Sequence, residues 1–186
     1  IPKRDWSSDV CSSDLSLKLK FLWASNSNEN TVSKVDCKTI KEVGRYQVCN
    51  NPSRTSVDLD GNVFAACRGD GKVAKIISEK KNCIDKNGNG LIETSEDLNG
   101  DGNISGNEMA PNDECIAFIV QPLGNPSTYP GSRGAAVDKF NNVYIGYWNE
   151  AKVAYLDGKT GATIKTVDWQ CPTYGRSEEH TSELQS

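Results

Sequence analysis

Three stretches of this chain repeat one pattern: LWASNSNENTVSKVD at 22–36, VFAACRGDGKVAKII at 63–77 and VYIGYWNEAKVAYLD at 143–157. In each, an aromatic residue (Trp23, Phe64, Tyr144) precedes a valine (Val32, Val73, Val153) by nine positions, across a polar, turn-forming segment. Upstream of the second and third copies lies another match. TSVDLDGNVF at 55–64 pairs with AAVDKFNNVY at 135–144, and each V-D leads into a turn, DGN or FNN. Downstream of the first and third copies run IKEVGRYQVC at 40–49 and TIKTVDWQC at 163–171. Apolar alternation broken by turns at hairpin intervals specifies antiparallel strands rather than helices. The unit is four short strands: a V-D strand, an aromatic strand, a K-V-x-K/Y strand and an outer strand.

Trp23 and Phe64 stand 41 residues apart, the period of a four-stranded β-propeller blade. Phe64 to Tyr144 is 80 residues, and the excess falls between the third and fourth strands of the second unit. The expected fold class is all-β: a partial β-propeller of about three four-stranded blades with a helix-poor insert at 83–115. A propeller ring takes about four to eight blades, so the chain is expected to be a fragment with open sheet flanks. Because the insert leaves from a hairpin tip, it is expected to be peripheral to the core, with Lys72–Ile77 and Ile116–Val120 still paired.

The motifs SRTSVDLDGNVF, SRGAAVDKFNNVY and the K-V-A strands make the chain resemble the NHL/YVTN/virginiamycin-B-lyase-like group of propellers. The resemblance covers most of 16–175 and implies architecture more than activity. It favours this group over WD or kelch repeats, since no W-D or G-H dipeptide occurs.

The insert carries a second signal. Asp85 to Glu108 reads DKNGNGLIETSE followed at once by DLNGDGNISGNE. Each half fits the calcium-loop pattern D-x-[DN]-x-[DN]-G-x5-E. Calcium takes six to eight hard oxygen ligands from a sharply turning chain. In the first loop the pattern assigns side-chain oxygens to Asp85, Asn87 and Asn89, the carbonyl to Leu91, a direct or water-mediated contact to Glu93 and a bidentate carboxylate to Glu96. In the second loop the same roles fall to Asp97, Asn99, Asp101, Asn103 through its carbonyl, Ser105 and Glu108. The loops resemble EF-hand loops but not an EF-hand pair. Glu96 and Asp97 are adjacent, so no helix fits between them, and Pro111 limits any helix beyond. The expected cofactor is Ca²⁺, bound at roughly 10⁻⁴ M, the range of extracellular modules.

Both ends of the chain stand apart. Asp5–Leu15 reads DWSSDVCSSDL and Arg176–Ser186 reads RSEEHTSELQS. Codons can be chosen for the first whose reverse complement translates as the second. The two ends therefore resemble sequencing-library adapter translated in opposite directions, and 1–15 and 176–186 are set aside on that ground. This division removes Cys11 and the single histidine, His180, and leaves six cysteines in 16–175.

Six cysteines without C-x-x-C spacing or histidine point to disulfides rather than a zinc site. They imply an extracytoplasmic setting: secreted, periplasmic or cell-surface. Cys83 and Cys115 bracket the insert and are expected to bond to each other; the other four leave three connectivities open. Between them lie Asp85, Glu93, Glu96, Asp97, Asp101, Glu108, Asp113 and Glu114 against Lys86 alone, an acidic segment in a chain whose whole net charge is −4. No basic stripe suited to nucleic acid is present, and no apolar run is long enough to cross a membrane as a helix.

Without histidine there is no Ser-His or Cys-His pair, and the histidine base that virginiamycin-B-lyase-like enzymes imply is missing from these blades. The expected function is thus a calcium-binding propeller module for binding a protein or small ligand. The alternative is a fragment of a propeller lyase or hydrolase whose catalytic residues lie on other blades. Arg54 and Arg133 occupy matching S-R sites; such repeated positions are more often structural, with binding of an anionic ligand in the central channel as the alternative. Arg68-Gly69-Asp70 spells a short adhesion tripeptide that also arises by chance.

Overall fold

The computed structural model describes residues 20–125 and 128–173; the adapter-like ends lie outside them. Eleven strands form three antiparallel sheets. The first holds β1 (Phe21–Asn26), β2 (Thr31–Asp36) and β3 (Glu42–Gln47) in that order. The second holds β4 (Pro52–Val57), β5 (Val63–Cys67), β6 (Val73–Ile76) and β7 (Ile116–Val120). The third holds β8 (Ser132–Val137), β9 (Val143–Tyr147), β10 (Lys152–Leu156) and β11 (Thr163–Asp168). Among the described residues there is no α-helix, only two 3-10 turns at Lys80–Asn82 and Gly106–Glu108. Each sheet is a meander in which sequence neighbours pair. This is a partial β-propeller.

The sequence repeat is also a register repeat. Trp23 lies opposite Lys34, Phe64 opposite Lys75, and Tyr144 opposite Tyr155. The V-D turns are built alike. Asp58 Oδ1 accepts the amides of Asp60 and Asn62, and Asp138 Oδ1 those of Phe140 and Asn142. Each turn then needs one left-handed residue, and Gly61 (φ 82°) and Asn141 (φ 63°) supply it. Gly and Asn tolerate that conformation best, which explains DGN and FNN.

Blades pack through alternating strand faces. Trp23, Val32 and Tyr46 of the first blade meet Val63, Ala65, Ala74 and Ile76 of the second in one buried cluster. Phe64, Ala66 and Val73 of the second meet Val143, Ile145, Ala154 and Leu156 of the third in another. A lysine fastens each junction. Lys34 Nζ donates to the carbonyl of Ser78, and Lys75 Nζ to that of Gly158. Lys75 also pairs with the fully buried Asp58 at 3.3 Å. In the third blade Tyr155 takes the lysine's place and donates to Asp138 Oδ2 at 2.8 Å.

Cys49–Cys67 staples the first blade to the second, and Cys83–Cys115 closes the base of the insert. The second bond is the one its bracketing position led us to expect. Cys37 is also disulfide-bonded, whereas Cys171 is free and exposed. The strands flanking the insert do pair, from Val73 with Val120 to Ile76 with Ile116.

The insert is more deeply docked than a hairpin-tip origin suggests. Its Ile104 is fully buried, and Ile92 packs on the first interblade cluster. Burial, and next the neighbouring Asp113 carboxylate, hold the Tyr46 phenol well above its usual range, and Thr94 hydrogen-bonds to it. The cause is topological. The outer strand of the first blade offers an open edge, and a segment leaving the adjacent blade's outer hairpin lies within reach of it.

Candidate metal centre

The two loops of the insert share one hydrogen-bond plan, set by short polar side chains folding back on their own backbone. In the first, Asp85 accepts the amides of Gly88 (2.6 Å), Asn89 (3.2 Å) and Gly90 (2.8 Å). In the second, Asp97 accepts those of Gly100 (2.8 Å) and Gly102 (3.0 Å). Asn87 Oδ1 takes the Asn89 amide and Asn89 Oδ1 the Leu91 amide. Likewise Asn99 Oδ1 takes the Asp101 amide and Asp101 Oδ1 the Asn103 amide. Gly90 (φ 83°) and Gly102 (φ 81°) adopt the left-handed turn at the sixth position.

The second loop is closed by Glu108. Its Oε1 accepts the amides of Leu98 (3.1 Å) and Asn99 (3.2 Å), and its Oε2 that of Ser105 (3.1 Å). Glu108 is buried at the end of the turn that begins at Ser105. Asp97, Asn99, Asp101, Asn103, Ser105 and Glu108 are thus brought together in one hydrogen-bonded loop.

The first loop gathers Asp85, Asn87, Asn89, Leu91 and Glu93, but a different glutamate closes it. Glu114 Oε1 accepts the amides of Lys86 (2.8 Å) and Asn87 (3.3 Å), and its Oε2 that of Glu93 (2.9 Å). These are the second, third and ninth positions of the loop, the same three that Glu108 takes in the second loop. Glu96, at the twelfth position, is engaged instead by Lys80 Nζ, 3.0 Å from both carboxylate oxygens. Glu114 is buried, and the Glu93 amide, followed by those of Lys86 and Asn87, holds its carboxyl below the usual carboxylate range. The linear pattern could not find Glu114, because the chain returns to the first loop only after completing the second. The acidic excess of the segment was the available signal.

The donor set fits a hard cation. Asn87 Nδ2 and Asn89 Nδ2 both donate to Glu93 (3.0 and 2.6 Å), and Asn99 Nδ2 donates to Asp101 (3.1 Å), so side-chain amides meet one carboxylate in each loop, while no three carboxylates of the insert come within 4.8 Å of one another among the described residues. All are oxygen-bearing groups on a turning backbone, the chemistry that suits Ca²⁺ rather than zinc or copper. Asp113 is committed to structure. It accepts from Thr94 Oγ1, from the amide and hydroxyl of Ser95 and from the Cys115 amide.

Other groups singled out from the sequence sit elsewhere. Cys49, Cys67 and Asp70 cluster closely, but the two sulfurs are bonded to each other. The Arg68-Gly69-Asp70 turn is tied down. Arg68 donates to Asn51, and Asp70 accepts the amides of Asn50 and Lys72. Arg54 is exposed, while Arg133 is half-buried with its guanidinium 5.9 Å from the Trp148 ring centre.

Comparison with known proteins bears on the fold. No protein family matches the chain, and no curated protein matches it. Among solved structures, it is similar to the β-propeller domain of Cps50 (Swd1) from Myceliophteria thermophila, with a TM-score of 0.53 at 9% identity. The match covers 84% of this chain and 42% of that one, so this chain spans less than half of the propeller it resembles. No helix among the described residues is long and apolar enough to cross a membrane.

Proposed function

We propose that this chain is a calcium-binding, extracytoplasmic β-propeller module of the NHL-like type. Its insert holds two Ca²⁺ ions in EF-hand-like loops, and its blades act as a scaffold for binding a protein or small ligand. The observation that carries this reading is the shared hydrogen-bond plan of the two loops, down to a buried glutamate accepting the same three amides in each. Asp85, Asn87, Asn89, Leu91, Glu93 and Glu114 would hold the first ion, and Asp97, Asn99, Asp101, Asn103, Ser105 and Glu108 the second. A bound ion neutralises carboxylates that otherwise repel one another. Two disulfides support an oxidising compartment.

Equilibrium dialysis of the full chain against radioactive calcium tests this reading. Retained calcium that a Mg²⁺ excess fails to displace, and that an Asp85→Asn, Asp97→Asn double variant loses, supports it. Equal retention by the double variant refutes it. The preference for Ca²⁺ follows from the reluctance of Mg²⁺ to shed water for an irregular oxygen cage.

A further inference from the structure

The two loops are anchored in different ways. The first is held to the blade from which the insert springs: Lys86 Nζ donates to the carbonyls of Asp113 (3.1 Å) and Ile116 (2.6 Å), at the start of β7. Its glycines, Gly88 and Gly90, are exposed. The second loop crosses to the first blade and lies along the entry to β3. There the Glu42 amide donates to the Gly102 carbonyl (3.3 Å), and Lys41 Nζ donates to the Gly100 carbonyl (2.7 Å). In return the Ile104 amide donates to Glu42 Oε2 (3.0 Å), and the Ile104 side chain is fully buried. Glu42 is itself fixed by two 2.9 Å bonds from Arg45.

The same two residues serve both purposes, through the peptide groups on either side of each Cα. The amides of Gly100 and Gly102 turn inward to Asp97, closing the loop, while the carbonyls of the same residues turn outward to Lys41 and Glu42. The loop interior and its grip on β3 are therefore linked through the backbone of Gly100 and Gly102.

We propose that calcium in the second loop regulates the junction between the first two blades, by setting the peptide groups of Gly100 and Gly102 that dock the insert on β3. The first loop reaches the first blade through the side chains of Ile92 and Thr94 rather than through its own peptide groups, and its ion is assigned no such role. This inference rests on the calcium reading above and extends it to a coupling between ion binding and blade association. Coupling of this kind is reciprocal: whatever factor calcium adds to docking, docking adds to calcium affinity.

Hydrogen exchange on the full chain, with and without calcium, provides the test. Calcium is expected to slow exchange of the Glu42 and Ile104 amides by about tenfold or more. The slowing persists in an Asp85→Asn variant and disappears in Asp97→Asn. Conversely, Glu42→Gln is expected to weaken the second site by about tenfold, the worth of one hydrogen bond to a charged group, and to leave the first unchanged. Lys41→Ala, a milder change at an exposed side chain, is expected to weaken the same site several-fold, which guards against Glu42→Gln simply loosening the fold. Calcium binding to both loops with unaltered β3 exchange, or equal loss of slowing in Asp85→Asn and Asp97→Asn, overturns the coupling and leaves the calcium reading intact. A chain that binds no calcium overturns both.

Discussion

Glu114 and Glu108 hold equivalent places in the two loops of the insert, each accepting the backbone amides of the second, third and ninth loop residues. Only Glu108 sits at the twelfth position of its own sequence pattern. Glu96, which has that position in the first loop, pairs with Lys80 at the surface.

Substitution at these positions separates structural from linear equivalence. Glu114→Gln is expected to weaken the first calcium site by about tenfold or more, through loss of a charged ligand whose hydrogen bonds shape the loop. Glu96→Gln, which removes an exposed ion pair, is expected to change affinity by less than about threefold, in keeping with the small worth of such pairs. Calorimetric titration of the two variants distinguishes the roles.

Buried Lys75 pairs with Asp58 of its own blade and fastens that blade to the third through the Gly158 carbonyl. Lys75→Met leaves Asp58 buried without its cation and is expected to cost about 3–5 kcal/mol. Adding Asp58→Asn should recover part of that loss. Urea unfolding of the two single variants and the double variant measures the coupling.

Asp138 gives the third blade an acid sensitivity. Burial pushes its carboxyl up, but hydrogen bonds from the Tyr155 phenol and the Phe140 and Asn142 amides outweigh burial and hold it below the usual range. A carboxylate depressed by folding adds stability above its unfolded pKa and loses it as pH falls through the folded one. The stability gap between the wild-type chain and Asp138→Asn is therefore expected at neutral pH and absent in strong acid. Chemical denaturation across that range reads it directly.

Much of the fold was legible in the sequence because strand periodicity and turn chemistry are local. The spacing of Trp23, Phe64 and Tyr144 gave the blade repeat, and DGN and FNN gave the hairpins. The Cys83–Cys115 bond followed from the way these residues bracket the insert. What stayed hidden depends on the chain meeting itself at long range. The Cys49–Cys67 staple was one of several open pairings. Glu114 reaches the first loop only through the return of the chain along the second. The burial of Ile104 on the first blade needs the open edge of β3, which no residue of the insert announces.

Removing the insert tests how far it belongs to the propeller. With residues 83–115 replaced by Asp-Gly, β6 and β7 are expected to remain paired, since their register is set outside the insert. The first blade should loosen, because Ile104 and Ile92 no longer cover their neighbours; losing a buried isoleucine costs about 2–5 kcal/mol. A cooperative transition at lower denaturant with β-sheet circular dichroism retained is the expected result. Undiminished stability would show that the docking contributes nothing.

The most direct measurement of the central claim is a calorimetric titration of the intact chain with calcium, repeated on a Glu108→Gln, Glu114→Gln double variant. The loop geometry predicts two ions per chain, bound at about 10⁻⁴ M, with the binding heat lost in the double variant. A titration with no binding heat, or with heat unchanged by removing both closing glutamates, would contradict it.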